Sequence, residues 1–273
     1  MRPLTDQSSH FAFGDNWASY ARIVDAERIH NAEAGLLRLV GSEGLRNRRF
    51  LDIGCGSGLH ALAAARLGAS QIVAVDIDPV SVETTRRLLD LHVPAADRRV
   101  ECRTVFELRP DSLGLFDVVY SWGALHHTGA MHDAIERAAR MVAPGGLFVF
   151  ALYRRTRLCP LWRREKKWYA SASPRTQKIA QSVYLGLMQL RSSLTRDDFK
   201  SWLIGHEGSR GMSHLHDIHD WLGGYPYESI SAQDVGVLMH RLEFRHVRSF
   251  TGPLRIGFFG SGCDEYVYRL DPS

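Results

Sequence analysis

Apolar positions along this chain follow two rhythms that alternate. Strand signals recur at about 48–54, 71–77, 99–105, 116–122 and 146–153. Between most of them the period lengthens to that of helices, at Leu59–Leu67, Pro79–Leu91 and Ala130–Val142. Pro79 falls where a helix begins, a position whose N–H has no helical partner to lose. Such alternation predicts an α/β fold with a parallel sheet and helices on both faces. After Tyr153 the rhythm stops. It resumes near residue 231 with a helix at Ser231–Leu242 and strand-like runs at Phe244–Thr251 and Asp264–Leu270. The chain therefore divides into 1–153, 154–230 and 231–273.

At 273 residues and 45% apolar content the chain can fill the core of one doubly wound domain carrying an insertion. A formal charge of +4 and a pI near 9.0 make it basic, without the density of a nucleic-acid arm. No stretch has the apolar length of a membrane span, and Met1–His10 lacks the apolar centre of a signal peptide. The expectation is a soluble, cytoplasmic protein. Cys55, Cys102, Cys159 and Cys263 are scattered without metal or disulfide spacing and are expected as free thiols.

The first apolar run ends in Asp52-Ile53-Gly54-Cys55-Gly56-Ser57-Gly58, and the second ends in Asp76-Ile77-Asp78. A strand, a glycine turn, a helix and an acid-tipped strand form a nucleoside-cofactor pattern, with the glycines allowing a sharp turn and a close backbone approach to the ligand. Asp76 stands where a carboxylate accepts the ribose hydroxyls. Asp52 discriminates between cofactors. A carboxylate there repels a pyrophosphate but can pair with the amino group of a methionine moiety, which favours S-adenosylmethionine over NAD.

With these motifs in order, the chain resembles the class I S-adenosylmethionine-dependent methyltransferases. Leu51–Gly58 is similar to the family's first motif and Val73–Asp78 to its second. Phe116–Trp122 resembles the fourth strand, Leu125-His126-His127 the following loop in the ubiquinone-type O-methyltransferase branch, and Val142–Gly146 the turn opening the fifth strand. The resemblance implies a Rossmann-like methyltransferase fold: a mostly parallel seven-stranded sheet with an antiparallel final hairpin, plus a largely helical insertion. It also implies a division of labour. Residues 1–153 hold the amino-terminal segment and cofactor-binding core, 154–230 a substrate lid, and 231–273 the helix and hairpin that complete the core. Asp52, Gly54, Cys55, Gly56 and Gly58 face the methionine end, Asp76 the ribose, and Ile77 and Asp78 the adenine edge. Thr104 and Val105, at the end of the third strand, face the adenine ring, although the acid often found there is missing. Ser121, Trp122 and Gly123 wall the sulfonium.

The chemistry of transfer points to bases and gates. Aligning the partners lowers a barrier by about 7–11 kcal/mol, and a positioned base adds about 10²–10⁴ in rate. His126 and His127 are candidate bases at the strand edge, with loop bracing as the alternative role. In the insertion His216, His219 and Asp220 would share one helical face, with His216 and His219 as further candidate bases on the acceptor and Asp220 orienting His216; a structural cluster is the alternative. No metal is expected. Trp17 and Tyr20 are candidate gates or packing residues, and Tyr153, Tyr225 and Tyr227 complete the candidate substrate wall. Residues 154–178 carry nine lysines and arginines against Glu165, with Trp162, Trp168 and Tyr169 interleaved. This stretch suits a solvated face first, and after that a weak contact with a membrane surface or RNA. The expected function is methyl transfer to a hydroxyl, ahead of an amine, of a small organic acceptor: phenolic, quinol-like, sugar or natural product. An RNA-modifying methyltransferase and a non-catalytic cofactor-binding protein are the competing readings.

Overall fold

The computed structural model describes residues 11, 13–41, 44–195, 214–252, 258 and 260–272. Its strands are β1 (Arg49–Ile53), β2 (Gln71–Asp76), β3 (Arg98–Cys102), β4 (Phe116–Trp122), β5 (Val142–Tyr153), β6 (Phe244–Phe250) and β7 (Cys263–Leu270). They form one seven-stranded sheet in the order β3-β2-β1-β4-β5-β7-β6. The first five pair in parallel, while β7 runs antiparallel between β5 and β6. The order reverses at β1 and β4, the topological position where open α/β sheets bind ligands at the carboxyl ends of their strands.

Period-two alternation sorts each strand between two cores. Leu51, Ile53, Val73, Val75, Val119, Phe148 and Phe150 face one side; Phe50, Ile72, Ala74, Val118, Tyr120 and Val149 face the other. Helices cover both faces: α1 (Gly14–Ala21), α2 (Ala26–Val40), α3 (Leu59–Arg66) and α4 (Pro79–His92) precede the short α5 (Pro110–Leu113) and α6 (Met131–Ala139). Asp25 caps α2 by accepting the Arg28 N–H, and Asp78 caps α4 by accepting the Val80 N–H, with Pro79 in the first turn. Strand β3 stops at Cys102, earlier than the apolar run suggests. Thr104 and Glu107 form a capping box that opens a short 3₁₀ turn at Val105–Glu107, so Thr104 and Val105 leave the sheet.

The insertion contributes α7 (Cys159–Ser171), α8 (Pro174–Thr195) and α9 (His214–Gly223); α10 (Ala232–Arg241) follows before the final hairpin. Its two ends are stitched together. Arg154 bridges to Ile230, the Arg155 N–H donates to the Ile230 carbonyl, and the Ile230 N–H donates to the Tyr153 carbonyl. The chain thus leaves and re-enters the core at a single point, and aromatic side chains of the insertion pack on Tyr153 and on one another.

Arg154, the first residue of the insertion, does not belong to its basic surface. Its guanidinium is buried against the Asp264 carboxylate, with Nε at 2.9 and 3.0 Å from the two oxygens and Nη2 closing a further contact. Asp264 also accepts the Gly252 N–H and the Tyr266 hydroxyl. Removing one member of a buried pair strands the other charge. Asp264→Ala should therefore cost about 3–5 kcal/mol in urea unfolding; a loss under about 1 kcal/mol, the level of an exposed pair, would show that the pair does not anchor the insertion.

Candidate active site

The glycine turn between β1 and α3 takes its shape from backbone geometry. Gly54, Gly56 and Gly58 have φ of 76°, 55° and 82°, a region that side chains other than glycine rarely enter. A Cβ at Gly54 would lie 2.3 Å from the Ala124 Cβ, and one at Gly58 would lie 2.9 Å from Thr85. At Gly56 it would lie 3.1 Å from the Trp17 ring. The glycines are thus required by left-handed φ and by packing within the protein, where the motif spacing alone suggests approach to a ligand. The Gly54 and Cys55 N–H groups donate to the Val75 carbonyl, and the Gly56 N–H donates to Asp76 Oδ2 at 3.0 Å.

A cavity of about 820 Å³ opens at the carboxyl ends of β1, β2, β4 and β5. At its floor Asp52 is 2% exposed. The nearby Ala61 N–H favours the charged form of this carboxylate, but Oδ2 has no hydrogen-bond partner. Desolvation, and after it the nearby charge of Asp76, pushes the Asp52 carboxyl up to about 8. Asp76 is pushed up to about 6 by burial, against the N–H groups of Asp78 and Gly56 that favour its charged form. A buried carboxylate oxygen without a partner fits a cationic donor, and the ammonium of a methionine moiety is one. These residues therefore fit the cofactor expected from the sequence. Asp52 would hold its ammonium and Asp76 its ribose, with Ile77, Thr104, Val105 and Phe106 lining the adenine end and Trp122 and Gly123 beside the sulfonium.

Sequence reasoning misses part of this wall. Arg38 reaches the cavity from α2, 2.5 Å from Glu265 of β7, and Glu265 also accepts Trp122 Nε1–H at 3.0 Å. His60, Arg103 and Cys263 line it as well. None lies in a local motif; tertiary packing alone brings them together.

The opposite end is aromatic. Phe11, Phe13, Tyr153 and Trp221 line it together with His126, His127 and Asp220. The two adjacent histidines are in different states. His126 is fully buried, and its Nδ1 accepts the Tyr153 N–H at 3.2 Å, so its proton sits on Nε2, which has no partner. Burial, reinforced by His127 and Lys166, holds it neutral, far below its ordinary range. His127 Nδ1 lies 2.8 Å from the Pro226 carbonyl, which can only accept. This leaves the proton-accepting position at Nε2.

Other expected site residues stand off the cavity wall. Asp78 caps α4 with Oδ1 and takes the Gly14 N–H with Oδ2, thereby tying α1 to the cofactor end. Ser121 is buried and donates to the Ile53 carbonyl, joining β4 to β1. Tyr20 is fully buried in the core beneath Trp17, and it is Trp17 that lines the cavity. Tyr225 holds Phe11 through its carbonyl. Tyr227 sits behind the wall, its hydroxyl between Cys159 and Ser261. His219 lies inside the lid with Nδ1 2.8 Å from the Tyr169 hydroxyl and 2.9 Å from Gln181 Nε2, while Asp220 faces the cavity and accepts Asn16 Nδ2–H at 2.7 Å. His216 falls on α9, and its side chain lies outside the described residues.

Residues 24–203 match the family model described as a methyltransferase domain, and the chain belongs to that family. Its fold and cofactor end are those of an S-adenosylmethionine-dependent methyltransferase. The ubiquinone biosynthesis O-methyltransferase of Alkalilimnicola ehrlichii is 35% identical over 113 residues, covering 41% of this chain and 44% of that protein. The chain therefore spans less than half the length of this curated relative. The tRNA U34 carboxymethyltransferase of Cellvibrio japonicus is 31% identical over 108 residues, 38% of this chain and 32% of that protein. Among solved structures, magnesium protoporphyrin IX methyltransferase from Synechocystis PCC 6803 with bound SAH shares the fold at a TM-score of 0.56 and 12% identity, covering 95% of this chain and 94% of that one.

The raised Asp52 pKa has a definite sign. A carboxyl at 3.8 in the unfolded chain and about 8 in the folded one stabilises the empty protein fully only below the lower value, and that stability is lost as pH rises to the upper one. The loss runs at up to about 1.4 kcal/mol per pH unit. Asp52→Asn should therefore be more stable than the parent at alkaline pH, by thermal unfolding, while binding S-adenosylhomocysteine at least about 100-fold more weakly, the loss given by an unpaired buried charge contact. Undiminished affinity would remove Asp52 from the cofactor site. Asp76→Ala should likewise lose affinity and keep its fold by circular dichroism; parent-like affinity would reject the ribose assignment.

Proposed function

We propose that this chain transfers a methyl group from S-adenosylmethionine to a hydroxyl of a small aromatic acceptor, phenolic or quinol-like, with His127 as the base. The observation that carries the reading is the His127 tautomer. Its Nδ1–H is committed to the Pro226 carbonyl, so Nε2 is the nitrogen that can take a proton, in a residue lining the cavity. The cofactor, when bound, supplies an electrophilic methyl group on a sulfonium.

The protein's part is to hold the acceptor in line and accept its proton. Phe13 lies 5.3 Å from His127, Tyr153 lies 5.3 Å from His127 on an edge, and Trp221 meets the Tyr153 ring at 5.2 Å. Rings at these spacings favour a flat aromatic acceptor over a sugar. His126 contributes differently. As a neutral ring with its proton on Nε2, it can only donate from that nitrogen, which does not suit a base. The name of the Alkalilimnicola relative, an O-methyltransferase, supports oxygen as the methylated atom.

His127→Ala should lower turnover by about 10²–10⁴, as expected for loss of a positioned base, while S-adenosylhomocysteine affinity stays unchanged in calorimetry. The assay offers catechols, quinols, phenols and glycosides and follows methylated product by mass spectrometry. Parent-like turnover in His127→Ala would retire the base, and methylation confined to amines or RNA would retire the acceptor class.

A further inference from the structure

The outer face of the lid carries a feature that the cavity does not use. On α8, Ile179, Val183, Leu187 and Leu190 are 65%, 57%, 50% and 57% exposed. Their spacing of four, four and three places them on one face of the helix. The inner face of the same helix is occupied: Tyr184 meets Trp162, Gln181 meets His219, and Met188 is buried. The stripe is therefore an apolar face turned away from the protein. Arg175, one turn before Ile179, and Lys178 beside it are exposed at the start of the stripe. Helix α7 adds exposed Leu161 and Trp168, and its Arg163, Arg164 and Lys167 are exposed too.

The charge of these two helices is nearly all of one sign. Residues 159–195 hold seven lysines and arginines and a single acid, Glu165. One of the seven is not on the surface: Lys166 is fully buried with its ammonium 3.6 Å from the Trp221 ring centroid, and burial draws its pKa down to about 7. Glu165, the one acid, is half-buried, and burial pushes its carboxyl up.

We propose that the α7–α8 face of the lid docks on an anionic lipid bilayer, with the α8 stripe among the acyl chains and the cations at the headgroups. Charge decides the occupant. A second copy meeting this face by two-fold symmetry would bring the same cations against one another, which disfavours self-association. An anionic bilayer meets both features at once, since apolar side chains enter its interface and each nearby lysine or arginine gains from its negative surface potential. Trp168 is of the type that settles at headgroup depth. Among the described residues no helix is long and apolar enough to cross a membrane, so the contact is one of a helix lying on the surface.

The test is flotation of the full chain with vesicles of phosphatidylcholine alone and with about one third phosphatidylglycerol, at low salt and at about 0.5 M salt. Two variants accompany the parent: Val183→Asp with Leu187→Asp, and Arg164→Glu with Lys167→Glu, Arg175→Glu and Lys178→Glu. The parent should float with the anionic vesicles, at least about tenfold more than with neutral ones, and less at high salt. Each variant should lose at least about tenfold of that binding while keeping its S-adenosylhomocysteine affinity and melting temperature. Absence of the parent from anionic vesicles, or undiminished binding by both variants, would overturn the proposal. Sedimentation of the parent as a dimer that the Val183→Asp, Leu187→Asp variant dissolves, without vesicle binding, would assign the face to a second copy.

Discussion

Two carboxylates at the ends of adjacent strands, Asp52 buried and Asp76 half-buried, set the terms for the rest of the molecule. Asp52 lies on β1 opposite Ala74 of β2, and Asp76 ends β2 two residues further on. Among the described residues no cationic side chain neutralises either, and the nearby charge of Asp76 raises the cost of ionising Asp52. The glycine turn beside the pair gives the Gly56 N–H to Asp76, and the Asp78 N–H takes its other oxygen. Asp52 is left with one oxygen unsatisfied at the cavity floor. A fold that holds an unpaired carboxylate in place sacrifices stability for preorganisation toward a cationic ligand.

The core of the molecule is legible in the sequence because its signals are local. Apolar runs such as Ile72–Val75 fix the strands, Pro79 and Asp78 fix the start of α4, and the glycine spacing fixes the turn. What local patterns leave out is contact across long sequence separation. Arg38 and Glu265 meet at the cavity rim across 227 residues, and Asp78, which looks like a cofactor residue by its place after Asp76, is spent on capping α4 and holding α1. The adjacent histidines are equivalent as letters. Their chemistry separates only when the Tyr153 N–H is seen to donate to one and the Pro226 carbonyl to accept from the other.

The insertion shows the same limit. Its nine basic residues over 154–178 read as one charged surface, yet Arg154 is sealed against Asp264 and Lys166 lies among aromatic rings. Both buried cations bring the insertion onto the core, one at its root and one beneath Trp221. The insertion thus has an inner face that walls the aromatic end of the cavity and an outer face that keeps the remaining charge. Trp221 joins the two roles, lining the cavity while meeting the Trp162 ring edge-on and covering the Lys166 ammonium.

Asp52 is held protonated in the ligand-free protein at neutral pH and ionises when a cation takes its place beside Oδ2. Calorimetry of S-adenosylhomocysteine binding at pH 7, repeated in buffers of different ionisation enthalpy, counts the protons exchanged. With Asp52 held at about 8 in the empty cavity, binding should release close to one proton at pH 7, and this release should fade in alkaline buffer where the carboxylate is already ionised. Binding with no net proton release at pH 7, or with proton uptake, would contradict the account.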